Sequence, residues 1–163
     1  MVEAPSLKCL LRDNLECWLA PGNYAAWPPS VTSRETVSTS VRAATAWGTG
    51  LLVVHQDGTV EQGLHTQLHP IVWLPRPDLS GAVSLAGPSG PRCVALATGR
   101  VKCDPREVPG LVPPFNSGET VDIGVSDAVQ VAGHAILHSD GRVSRITFQS
   151  SGLVTIDPVP GFD

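Results

Sequence analysis

The sequence predicts an all-β fold assembled from about four copies of one hairpin repeat. Three observations carry this expectation. Gly 16 and Pro 15 in 163 residues make the chain turn-rich, with few runs at helical spacing. Four segments resemble one another: SLKCLLRDNLECW (6–18), GLLVVHQDGTVEQ (50–62), PRCVALATGRVKC (91–103) and GHAILHSDGRVSR (133–145). Their turn residues Asn14, Gly58, Gly99 and Gly141 follow at intervals of 44, 41 and 42 residues, so the repeat is roughly 42 residues long. A β repeat of this period is the mark of blade-type units.

Each hairpin is an apolar run, a turn signal and an alternating run. The turn needs a residue with positive φ, which Gly supplies best and Asn next. A three-residue loop fits every copy: Arg12-Asp13-Asn14, Gln56-Asp57-Gly58, Ala97-Thr98-Gly99 and Ser139-Asp140-Gly141. A leading strand precedes three of the hairpins, as VRAATAWG (41–48), AVSLAG (82–87) and AVQVAG (128–133). Its final Gly marks a close approach of chains. A connection follows the last two hairpins, as Val108-Pro109-Gly110-Leu111 and Val159-Pro160-Gly161-Phe162. The remaining stretches, 19–40 and 63–80, read as insertions within a single repeat domain spanning 1–163.

This pattern, a leading Ala-Val strand ending in Ala-Gly, a hairpin turning on Asp-Gly and a Val-Pro-Gly connection, resembles the repeat of the regulator of chromosome condensation family. The resemblance covers most of 40–163 and part of 1–18. It implies β-propeller blades. The family's Trp-Gly stands here as Trp18-Leu19, and its Gly-Gln-Leu-Gly signature is absent. The first hairpin lacks a visible leading strand, and the chain ends at Val159–Asp163, where another is due. Three arrangements satisfy this: part of a longer propeller, a small propeller closed by another strand, or a ring completed by a second chain. Unpaired strand edges favour the last, a homo-oligomer.

Composition limits the partners. Charged residues are only 16%, few for a fully exposed surface. The net charge is −4, with Lys8 and Lys102 the only lysines and the arginines scattered, so phosphate-driven nucleic-acid binding is disfavoured. No apolar window has the length of a membrane-spanning helix. No secretory signal stands at the N-terminus. The compartment stays open: cytoplasmic, or extracytoplasmic if a signal has been removed.

The three-residue loops place Cys9 opposite Cys17 and Cys93 opposite Cys103, within reach of two cross-strand disulfides. The alternatives are free buried thiols, or a zinc site that the absence of Cys-x-x-Cys disfavours. Counted from the turn residues, the first hairpin is a residue shorter on each side, which puts the two cysteine pairs on opposite faces. His134 and His138 lie on a strand, where residues four apart stand roughly 13 Å apart at about 3.3 Å per residue, so they cannot share one ion and read as structural. His65 and His69 follow a hairpin near Pro70, with their conformation open. Asp13, Asp57 and Asp140 read as turn carboxylates bonding their own backbone, and Asp104 and Asp157 similarly.

No nucleophile elbow, phosphate loop or dinucleotide fingerprint is present. No catalytic residue, metal or cofactor is expected. The candidate binding residues are the aromatics of the first insertion, Trp18, Tyr24 and Trp27, and His65, His69, Trp73 and Arg76 of the second. Two functions follow. One is a protein-interaction or scaffold module binding a protein partner through propeller-face loops, as the resemblance implies. The other is an enzyme or small-ligand binder at the propeller axis, with His55, His65 or Arg92 as candidates. A structural subunit of an assembly is the third reading.

Overall fold

The computed structural model describes residues 2–4, 7–11, 14–19, 34–47, 50–66, 69–86, 91–104, 120–149 and 154–162. Among the described residues, sixteen strands run in chain order. They are β1 Val2–Ala4, β2 Leu7–Leu11, β3 Leu15–Leu19, β4 Arg34–Ser38, β5 Val41–Trp47, β6 Gly50–His55, β7 Val60–Thr66 and β8 His69–Pro75. Then come β9 Ala82–Leu85, β10 Cys93–Leu96, β11 Val101–Cys103, β12 Val121–Asp122, β13 Ala128–Ala132, β14 Ala135–His138, β15 Val143–Phe148 and β16 Val154–Pro158. One short 3-10 turn, Pro77–Leu79, is the single helical element among the described residues. The strands form four antiparallel sheets of four, each a plain meander: β1–β4, β5–β8, β9–β12 and β13–β16. The all-β expectation holds.

The chain divides into two compact units, Met1–Arg76 with the first two sheets and Pro77–Asp163 with the last two. In the first unit, Leu15 of the first sheet packs with Val41, Leu51 and Val53 of the second. In the second unit, Cys93, Ala95, Val101 and Cys103 of the third sheet pack with Ala128, Val131, Ile136 and Ile146 of the fourth. In both, the earlier sheet packs its hairpin against the later one.

The hairpins repeat in their bonding as well as in their sequence. Gly58, Gly99 and Gly141 are left-handed, at φ 84°, 82° and 92°. The residue after each second strand donates its N–H to the carbonyl just before the leading strand: Gln56 to Ser40, Ala97 to Gly81 and Ser139 to Asp127, each at 2.8 Å. Past the fourth strand, Arg76, Ile123 and Val159 donate to Val60, Val101 and Val143 at 2.8, 3.2 and 2.9 Å. By this bonding, the counterpart of the Val159–Phe162 connection in the third repeat is the stretch from Ile123. Val108–Leu111, which the sequence aligned with it, lies outside the described residues.

A bulge recurs as well. The ladder steps over one residue near the start of β5, β9 and β13, leaving Arg42, Val83 and Val129 unopposed. Bulges re-aim side chains. Here all three point to solvent, with Val83 45% and Val129 46% exposed.

Two expectations need correcting. The first hairpin does have a leading strand: β1 pairs with β2 through Val2↔Cys9, Glu3↔Lys8 and Ala4↔Leu7. Three residues are too few for alternation to show in sequence. Every repeat also has a fourth strand that the hairpin pattern omitted. Residues 63–80 are therefore mostly strand and not a loop insertion, since β7 continues to Thr66 and β8 begins at His69. These outer strands carry Pro70, Pro75 and Pro158, which an edge strand tolerates because one side of its backbone needs no partner.

Candidate functional site

In a four-stranded meander, the connections from first to second and from third to fourth strand leave from one end of the sheet. The second-to-third turns and the links between sheets leave from the other. At the turn end, three residues separate the closing positions of each hairpin, and the links between sheets span 39–40, 76–81 and 123–127. At the opposite end, the third-to-fourth connections span 20–33, 67–68, 104–120 and 149–153, so their lengths differ widely.

Three of the seven sequence-selected binding residues fall at this variable end. Trp18 is the penultimate residue of β3. His65 lies at the register shift near the end of β7, and His69 opens β8 paired with Thr66. Tyr24 and Trp27 lie outside the described residues.

Trp73 and Arg76 belong elsewhere, and the sequence reading of them as loop residues is corrected. Trp73 pairs with Gly63 across β7 and β8 and packs against the first unit's core. A Cβ on Gly63 would stand 2.8 Å from the Trp73 ring, so the absent side chain makes the seat for the indole. Arg76 is 4% exposed and donates through Nη1 to Gln62 Oε1 at 2.7 Å. Both residues are occupied in holding the second sheet together.

The densest polar cluster among the described residues lies at the turn end of the fourth sheet. His138 donates through Nδ1 to Asp127 Oδ1 at 2.7 Å, and its Nε2 meets Ser144 Oγ at 2.9 Å. Arg142 Nη2 reaches Asp127 Oδ2 at 3.5 Å, and its Nε donates to Asp140 Oδ2 at 2.5 Å. Carboxylate, imidazole and hydroxyl in this order are the parts of nucleophilic catalysis. Here Ser144 is buried, 6% exposed, and its hydroxyl is taken up by the His138 imidazole. His55 holds the corresponding position in the second sheet, bonding the Thr39 carbonyl at 3.2 Å and Glu61 Oε2 at 2.9 Å. The hydroxyl is replaced there by a carboxylate, so the shared feature is a tie from the start of the leading strand to the third strand. The sequence reading missed Asp127 and Ser144. The one signal available was a histidine just before the turn in two of the four repeats.

The remaining candidates have local roles. His134 Nδ1 bonds the Ile146 carbonyl at 3.2 Å, as a structural histidine does. Arg92 Nη1 stands 3.9 Å from Asp104 Oδ2, a carboxylate buried at the end of β11. Cys93 and Cys103 form a disulfide, so neither serves a zinc site. No group of three or more metal-ligating side chains occurs among the described residues.

The turn aspartates bond their own backbone as expected. Asp57 accepts from the Thr59 hydroxyl at 2.7 Å and amide at 2.9 Å, and Asp140 accepts from Arg142. Asp13 lies outside the described residues. The Thr59 hydroxyl, then its amide, holds the Asp57 carboxyl below the ordinary aspartate range, and the Arg142 side chain, then its amide, does so for Asp140. A depressed carboxyl stabilises the fold above its unfolded-state value, and that contribution disappears as pH falls through the lower folded-state value. Carboxyl NMR titration should give both aspartates midpoints below the ordinary range. Midpoints at or above it contradict the turn geometry.

These features define an all-β repeat protein of successive four-stranded meanders. No family model and no curated protein matches the chain. Among solved structures it is similar to PorZ of Porphyromonas gingivalis, described as an essential bacterial surface component of the type-IX secretion system. The TM-score is 0.55 at 12% identity, covering 99% of this chain and 21% of that one. The chain thus spans about a fifth of PorZ, and the likeness is one of fold.

Proposed function

We propose that the four sheets are blades of a β-propeller-type array, and that the chain is a protein-interaction or scaffold module engaging a protein partner at its variable end. The observation that carries this is the contrast between the two ends of the sheets. At one end the second, third and fourth repeats keep the same hairpin turns and backbone bonds, and at the other the third-to-fourth connections vary most in length. Variable loops on a constant scaffold are where binding resides.

Other features support the blade arrangement. In the second unit the leading strands β9 and β13 lie side by side, linked by Ser84 Oγ donating to the Val131 carbonyl at 3.1 Å. In the first unit β5 lies beside β1 and β2. Leading strands gathered together in this way are what a propeller axis requires. The condensation-regulator repeat pattern agrees with a module that binds protein. The buried Cys93–Cys103 disulfide favours an extracytoplasmic setting.

Photo-crosslinking residues placed at His65, His69 and Ser139 in the source cells test this reading. We expect adducts to one recurrent protein from the first two positions and none from Ser139 at the turn end. A chain that gives no protein adduct at any position, and copurifies with a small molecule in native mass spectrometry, would overturn it in favour of the axial-site reading.

A further inference from the structure

β8 is the outer strand of the second sheet, and among the described residues no strand pairs with its far side. The Arg76 amide donates to the Val60 carbonyl at 2.8 Å. Continued along the register, that ladder turns the backbone groups of Val72 and Leu74 toward β7. Trp73 therefore aims its amide and carbonyl outward, and Pro75 its carbonyl. The Trp73 side chain packs into the core, while Val72 and Leu74 alternate onto the opposite face, 51% and 37% exposed. Leu64, half-buried and in register with Val72, widens that apolar stripe.

The fourth sheet supplies the comparison. There the Val159 amide donates to the Val143 carbonyl and Pro158 pairs with Ser144, as Arg76 donates to Val60 and Pro75 pairs with Glu61. By this register Thr155 and Asp157 of β16 hold the places of Val72 and Leu74. Their stripe is polar, with Thr155 Oγ1 donating to Asp157 Oδ2 at 3.2 Å. A charge on an outer strand discourages the addition of another. β16 carries one at this place and β8 does not.

We propose that β8 takes a further antiparallel strand, supplied by a proline-free extended segment of another protein with apolar residues at alternate positions. Two demands select that occupant. The outward amide and carbonyls of Trp73 and Pro75 are met together by extended backbone. The stripe of Val72 and Leu74 is covered by side chains two residues apart, the period of a strand. A second copy of β8 fits less well. A symmetric pair carries Pro75 twice in one ladder, where a foreign strand meets it once. The site is the flank of the sheet, so it goes beyond the variable-end reading and needs neither the blade arrangement nor a partner at that end.

Fluorescence anisotropy of a labelled peptide of alternating Val and Thr, flanked by Lys, tests this on the full chain. We expect saturable binding. Antiparallel addition puts the peptide's valines beside Val72 and Leu74 and its threonine amides toward Trp73. N-methylation of the threonines should therefore abolish binding, and N-methylation of the valines should spare it. Leu74→Asp, which installs the residue found in β16, should abolish binding with an unchanged circular dichroism spectrum. Thr155→Val together with Asp157→Leu should add one bound peptide per chain, which a merely structural role for these strands does not predict. Absence of saturable binding overturns the proposal, as does binding that survives threonine methylation or Leu74→Asp. A chain that dimerises in light scattering and returns to a single mass with Leu74→Asp makes a second copy the occupant and overturns it too. The variable-end reading stands or falls on its own crosslinks, so the two failures are distinguishable.

Discussion

Gly99→Ala is expected to destabilise the second unit by about 2–5 kcal/mol, far more than the same change at the other turn glycines. Two costs coincide at this position. Its φ of 82° is left-handed, which penalises any Cβ. An added Cβ would also stand 2.2 Å from the Ser126 carbonyl oxygen, a backbone atom that cannot swing aside. The turn is pressed against the segment that opens β13, and the Gly99 carbonyl accepts from the Ala128 amide there at 2.9 Å. Relief of the clash therefore costs that bond as well. Gly141 is the control, with a φ of 92° and nothing within 4 Å of the added carbon. Gly141→Ala should cost about 1–2 kcal/mol, the conformational term alone. Urea melts of both variants check this. Equal losses at the two positions would contradict the close packing of the third turn on the fourth sheet.

Replacing both Cys93 and Cys103 by Ala is expected to cost about 2–4 kcal/mol. The Asp104 amide donates to the Arg92 carbonyl at 2.8 Å, so the neighbouring Cys93↔Cys103 rung is a non-hydrogen-bonded pair, where side chains stand closest. The bond closes a loop with a sequence separation of 10 and restricts the unfolded chain. Both residues are also 0% exposed and sit in the core with Ile136 and Ile146, so truncation leaves a gap between the third and fourth sheets. Thermal melts of the double variant and the parent should separate clearly. Coincident melts would show that the bond adds nothing to the core.

The hairpins were legible in the sequence because Asp-Gly or Thr-Gly between alternating apolar runs admits few other conformations. The same residues predicted the three-residue loops and the opposition of Cys93 to Cys103. The outer strands were hidden because their prolines read as loop. Trp73 and Arg76 followed that error: what seats the indole is the missing side chain of Gly63, a partner ten positions away that only the strand register reveals. The tie between Asp127, His138 and Ser144 joins three strand positions diagonally and has no linear spacing to recognise. The strand register also sets Cys9 opposite Cys17, as the three-residue loop predicted, while the faces those two side chains take lie outside the described residues.

Disulfide mapping is the most direct test of whether the first hairpin pairs its strands through opposed cysteines as the third does. Digestion of the non-reduced chain followed by mass spectrometry should recover two linked peptide pairs, Cys9 with Cys17 and Cys93 with Cys103. Cross-pairing between the two sheets, or free thiols at Cys9 and Cys17 in oxidised protein, would contradict four equivalent repeats.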